Sequence, residues 1–196
     1  MTAAPPSAVP LPDAAAVVAY WRDAGPARWF RKDDAFDADF RARFLPAHEA
    51  AARGELDGWA GKDAGTVARR AQGALALLIL LDQFPRNAFR GTARMFATDA
   101  QARRLAAQAV AAGLDQQADA ALRRFFYLPF THSEQLADQD RAVALTEALD
   151  ADTHRFARHH RDIIARFGRF PHRNAVLGRA TTSEEQRFLD EGGFSG

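Results

Sequence analysis

Every residue from Ala74 to Leu81 is apolar, and the run stops abruptly at Asp82-Gln83-Phe84-Pro85. Eight residues are too few to cross a bilayer. A helix that is apolar on every side must instead be wrapped by other elements. This segment, within an expected helix over residues 64–84, is therefore the centre of whatever the chain folds into. Pro85 is expected to end it, because the residue before a proline avoids helical geometry.

The rest of the chain supplies wrapping of one kind. Phe36, Phe40 and Phe44 recur every four residues, one face of a helix over residues 34–53. Asp13 reads as the cap of a helix that stops at Gly25-Pro26. Trp21, Trp29 and Phe30 flank that break as aromatic pins. Further helices are expected over residues 98–113, 116–127, 131–149, 151–167 and 182–192. Three of them open on a capping-box spacing: Thr98 with Gln101, Thr131 with Glu134, and Thr182 with Glu185. No strand-like alternation of useful length is present. Short loops favour antiparallel neighbours. The expectation is an all-α fold of about seven or eight helices, stacked as hairpins in a short tetratricopeptide-repeat-like array. Residues 1–12, rich in Ala and Pro, read as a flexible lead-in to a single domain over residues 13–196.

Composition narrows the function. Lys plus Arg total 26 against 25 Asp plus Glu, so the basic excess of a nucleic-acid binder is missing. The absence of cysteine removes disulfides, thiol catalysis and iron–sulfur clusters. The N-terminus has neither the basic nor the apolar region of a secretory signal. A cytoplasmic protein is expected, with no membrane partner and no cofactor.

Two segments echo each other. Phe84-Pro85-Arg86-Asn87-Ala88 leads to Gly91, and Phe170-Pro171-His172-Arg173-Asn174-Ala175 leads to Gly178, with His172 as the one inserted residue. On structural grounds, proline interrupts the helix and Gly makes the next turn, while Arg bonds carbonyls left free at the helix end. On functional grounds, Arg86, Arg173, Asn87 and Asn174 would converge on one polar pocket suited to a phosphate or carboxylate. Asp82, at the end of an apolar helix, needs a cationic partner, and Arg86 stands one turn on.

Five of the six histidines lie between His132 and His172. His132, Glu134, His160 and His172 are the residue types of a metal or acid–base site. No two histidines have tight one-face spacing on a helix, and the capping-box spacing gives Glu134 a structural task, so no metal is assigned. There is no nucleophile elbow and no phosphate-cradling Gly-rich loop.

Taken together, Leu80-Leu81-Asp82-Gln83-Phe84-Pro85-Arg86-Asn87, Pro129-Phe130-Thr131-His132-Ser133-Glu134, Phe167-Gly168-Arg169-Phe170-Pro171-His172-Arg173-Asn174 and Leu177-Gly178-Arg179 resemble the bacterial domain-of-unknown-function family 924. The resemblance runs from about Trp21 to the C-terminus. It departs from the family pattern at Ala19-Tyr20-Trp21-Arg22, where an aromatic–Trp–aromatic run is expected. It implies an all-helical, tetratricopeptide-like fold and carries no activity with it. The motif residues that match are Asp82, Gln83, Arg86, Asn87, His132, Glu134, His172, Arg173, Asn174 and Arg179. Three functions compete for them. One is a binding protein for a small anionic ligand or an acidic peptide end. A second is a hydrolase or transferase on a phosphorylated or carboxylated small molecule, with His132 or His172 moving protons and Asp82 or Glu134 orienting the ring. The third is an assembly protein whose polar motifs only fix helix junctions.

Overall fold

The computed structural model describes residues 10–194, so residues 1–9 of the expected lead-in lie outside the described residues. The described residues contain helices and turns and no strand. In chain order the helices are α1 (Ala14–Ala24), α2 (Pro26–Trp29), α3 (Asp34–Ala52), α4 (Val67–Leu78), α5 (Phe84–Ala88), α6 (Asp99–Ala111), α7 (Ala120–Arg123), α8 (Leu128–Thr131), α9 (Leu136–Thr146), α10 (Ala151–Phe167) and α11 (Ser183–Asp190). Seven of these have eight or more residues.

The apolar helix is central, as its composition demands. Ala74 and residues 76–80 have no exposed surface. Helix α4 packs against α1 and α6, while α3 packs on α5, and α9 and α10 form the tightest hairpin. Trp21, Phe40, Phe84, Phe125, Phe126 and Phe130 complete the core, each worth about 1.5–3 kcal/mol of burial. The Trp29 indole donates to the Trp21 carbonyl at 2.6 Å and lies 6.4 Å from the Trp21 ring, which pins the α1–α2 break. A smaller core of Ile163, Ile164 and Phe170, with Phe167, Phe188 and Phe194 against it, seats the C-terminal segment.

Several local expectations are overturned. Pro85 does not end the central helix. Between α4 and α5 the chain makes a π-helical turn over Ile79–Gln83, and Phe84 donates its N–H to Ile79, five residues back. Proline lacks the N–H for the Leu81 carbonyl and its ring would strike that carbonyl in a regular helix. Widening the turn relieves the clash and lets the helix continue to Ala88. The Thr98–Gln101 box does not form. The Thr98 hydroxyl donates instead to the Leu81 carbonyl that Pro85 cannot serve, and Gln101 Nε2 donates at 2.9 Å to the Ala51 carbonyl near the end of α3. Nor does the Thr131–Glu134 box form: α9 starts at Leu136, and Gln139 Nε2 donates to the Thr131 and Ser133 carbonyls at 2.7 and 2.6 Å. The helix expected over residues 116–127 is broken into α7 and flanking 3-10 turns, and Pro129 lies inside α8. The Thr182–Glu185 box is present with both of its hydrogen bonds.

Candidate functional site

The π turn is where the core becomes polar. Three successive carbonyls of this turn accept from side-chain donors. Leu80 accepts from His48 Nδ1 at 2.9 Å, Leu81 from Thr98, and Asp82 from Arg86 Nη1 at 2.6 Å. Such turns recur at functional sites because they aim side chains that a regular helix would not. Here the aimed side chain is Asp82, with 1% of its surface exposed.

Each Asp82 oxygen is engaged. Oδ1 accepts from His132 Nδ1 at 2.8 Å and lies 3.2 Å from Arg86 Nη1, while Oδ2 accepts from Gln83 Nε2 at 2.6 Å. Burial pushes the Asp82 carboxyl up, but the Arg86 charge and the hydrogen bonds from His132 and Gln83 outweigh it and hold it well below the usual carboxylate range. The carboxylate can only accept hydrogen bonds, so the neutral His132 ring must carry its proton on Nδ1. Burial first, then the Arg86 charge, pull the imidazole below its ordinary value against the opposing pull of Asp82, which keeps it neutral. Its Nε2 therefore presents a lone pair and has no hydrogen-bond partner among the described residues. About 15% of the His132 side chain is exposed.

The two echo arginines meet, though not through their asparagines. Arg86 grips Asp99 with two parallel bonds, Nη1 to Oδ1 at 2.9 Å and Nη2 to Oδ2 at 3.0 Å. From the turn Pro171–Arg173, Arg173 brings Nη1 to 3.5 Å from the same Oδ2 and donates Nη2 to the His132 carbonyl at 3.0 Å. Phe96 faces both guanidinium groups, 5.9 Å from Arg86 and 4.5 Å from Arg173, whose charge also lies 4.5 Å from the Phe170 ring. Burial and the neighbouring Arg86 charge lower Arg173 to about 10, so it stays protonated at neutral pH.

The remaining sequence candidates sit apart from this cluster or at its edge. Asn87 donates to Asp37 Oδ1 at 2.6 Å, on α3, where Arg90 Nε also binds Asp37 at 2.6 Å. Asn174 lies 3.4 Å from Glu185 Oε2 and from Thr181 Oγ1, in the knot that holds α11. The two asparagines therefore do not share a pocket. Glu134 Oε1 accepts the Phe170 N–H at 3.0 Å and Arg179 Nη1 at 2.9 Å, tying the loop before α9 to the second echo turn. Burial acts against the Glu134 charge, but the Arg179 bond and the Phe170 N–H outweigh it and lower its pKa. The His172 ring packs 5.6 Å from Phe170 and 5.1 Å from Phe194, and its buried Nδ1 has no partner among the described residues. His160 Nδ1 bonds the Phe156 carbonyl at 2.8 Å. Among the described residues no group of three or more His, Asp or Glu side chains is placed to hold a metal ion. No motif or spacing in the residues pointed to Asp99 and Phe96. Asp99 reads as an ordinary acid in the first turn of α6, where the helix dipole already accounts for it.

The cluster joins three of the four segments that carry the family resemblance: the π turn with α5, the end of α8, and the turn at 171–173. The profile of a family described as "Bacterial protein of unknown function (DUF924)" matches residues 17–193. The chain belongs to this family. A solved structure of a protein of unknown function from Agrobacterium tumefaciens is 54% identical and superposes with a TM-score of 0.85, over 91% of this chain and 97% of that one. Comparison with curated proteins finds no match. This DUF924 member thus shares its all-helical fold with a solved relative, and neither comparison brings an activity with it.

Proposed function

We propose that the cluster is an acid–base site acting on a small anionic molecule. His132 takes the proton through Nε2, Asp82 orients the ring, Gln83 orients Asp82, and Arg86 with Arg173 hold the anion. The observation that carries this is the 2.8 Å bond from His132 Nδ1 to a buried, charged Asp82, with Nε2 unpartnered among the described residues. A buried carboxylate that fixes the tautomer and direction of an imidazole is what general-base catalysis requires of its supporting group. Passive anion capture has less support, because it leaves the oriented His132–Asp82 pair without a use and the asparagines look elsewhere. A hydrolase or transferase reaction on a phosphorylated or carboxylated compound is the class this chemistry fits. The proposal keeps a tetratricopeptide-like scaffold, a cytoplasmic setting and no nucleic-acid partner; the near-zero net charge supports the last.

The test needs no substrate. Nitrogen-15 NMR at pH 7.5 should find His132 neutral, with its proton on Nδ1 and Nε2 bare, and Asp82→Asn should redistribute the tautomers. A ring protonated at Nε2 in the wild type sinks the proposal. With a panel of phosphorylated and carboxylated compounds, any turnover found should fall at least a hundredfold in His132→Gln.

A second reading rests on its own observation. Each echo arginine donates to a main-chain carbonyl, Arg86 to Asp82 and Arg173 to His132, which is how a purely structural knot at a helix junction would be built. It predicts that every substitution in the cluster lowers stability and that none changes a chemical readout.

A further inference from the structure

Asp99 occupies the space between two guanidinium groups that come from segments far apart in the chain. Its grip by Arg86 is a matched fork, two oxygens on two nitrogens, which is the geometry for a planar carboxylate. Arg173 is less well served. Its closest approach to Asp99 is 3.5 Å, and its buried Nε has no partner among the described residues, although only 8% of its side chain is exposed. A buried donor left idle is costly unless something else uses it. The Phe96 and Phe170 rings flank the Arg173 guanidinium and hold its plane.

We propose that Arg86, Arg173 and Phe96 form a carboxylate subsite, that Asp99 is its internal occupant, and that the carboxylate of a small molecule takes the place of Asp99 on binding. For what then reacts, this rests on the acid–base role of His132. Asp99 is the first residue of α6 and 18% of its side chain is exposed, so it can turn outward by side-chain rotation alone. Its backbone stays put because the hydroxyl of Thr98 is tied to the Leu81 carbonyl. Turned outward, its charge is still favoured by the start of α6.

The charge count selects the ligand. Arg86 and Arg173 balance Asp82 and Asp99. When Asp99 swings out, a single negative charge restores the balance, which a carboxylate supplies and a phosphate dianion exceeds. The subsite adjoins the Asp82–His132 pair: the Arg86 Nη1 that binds Asp99 lies 3.2 Å from the Asp82 oxygen that holds His132 Nδ1. With His132 as the proton acceptor, the substrate class is a carboxylic acid that also carries a transferable proton or a polar bond.

Binding is read without turnover, from the arginine Nε–H NMR signals, at constant ionic strength with acetate, inorganic phosphate or chloride as probes. Asp99→Asn should bind acetate at least tenfold more tightly than the wild type. Adding Arg173→Gln should remove that gain. No gain in Asp99→Asn, or an equal gain for phosphate, overturns the proposal. Should Asp99→Asn not fold, the wild type decides: acetate must shift the Arg86 and Arg173 signals where chloride does not, and their failure to move overturns it. A His132 ring in the wrong tautomer would sink the acid–base role and leave this subsite standing, and the converse also holds.

Discussion

The two echo turns share their letters and part company in their energetics. Each begins with a wholly buried phenylalanine and a buried proline, Phe84-Pro85 and Phe170-Pro171. Each sends an arginine to Asp99 and an asparagine toward a different carboxylate that is itself held by an arginine: Asp37 with Arg90, and Glu185 with Arg169. Yet the first turn rides inside a helix, with its arginine bonded to two carboxylates and a carbonyl. The second follows an extended residue, and three neighbours in a row, His172, Arg173 and Asn174, keep a buried polar atom without a partner among the described residues. A fully satisfied turn is suited to rigidity. An under-satisfied one has polar atoms to offer, and that asymmetry gives the second turn its place in the proposed site.

The largest expected effect tests this difference directly. Arg86→Met leaves Asp82 and Asp99 short of their shared cation in a buried setting, and should cost about 3–5 kcal/mol in urea unfolding. Arg173→Met keeps a long apolar stem between Phe96 and Phe170 and loses weaker polar contacts, so its cost should stay near 1 kcal/mol. Equal losses would mean that the two turns are equivalent braces and would favour the purely structural reading.

The asparagines should follow the same order at a smaller scale. Asn87→Ala removes a 2.6 Å bond to a charged carboxylate and should cost about 1.5–3 kcal/mol. Asn174→Ala removes two contacts of 3.4 Å and should cost about 1 kcal/mol. If Asn174→Ala proves the costlier, the second turn is better satisfied than its geometry implies.

Acid should separate the turns further, since only the second carries a histidine. Burial, then the Arg173 charge, push His172 from its ordinary 6.5 down to about 4, and burial brings the neighbouring His160 to about 3. Between those values and 6.5 the unfolded chain binds more protons than the folded one. Stability is therefore complete above about pH 6.5 and falls as the pH drops toward 4. Thermal melts from pH 7.5 to 4.5 should show a smaller decline in His172→Phe than in the wild type, and parallel declines would remove His172 from the account.

Much of this architecture was legible in the residues. The caps at Asp13 and Thr182, the stop at Gly168 and the Phe36–Phe40–Phe44 face each depend on neighbours within a few positions, and each is found in place. The pairing of Asp82 with Arg86 is equally local. What escaped depends on distant partners. Pro85 breaks a regular helix, but a π turn admits it because Thr98, far along the chain, serves the carbonyl left bare. That same use of Thr98 dissolved its capping box, and Glu134 left its own box for the Phe170 N–H and Arg179. Short-range patterns state what a side chain can do, and the competition among long-range partners decides what it does.

The smallest expected effect closes the comparison from the other side. Gly91 and Gly178 sit at matching places after the two turns, at φ +74° and +65°, and a Cβ at either would meet nothing within 4 Å. The cost of Gly→Ala there is the left-handed backbone alone, about 1 kcal/mol at each position. The two losses should agree within the error of a urea titration, although the arginines and asparagines beside them differ severalfold. Equal glycines with unequal arginines would place the asymmetry in side-chain satisfaction, where the proposed site needs it. Unequal glycines would move it into the backbone, and the idle polar atoms of the second turn would then reflect a strained loop.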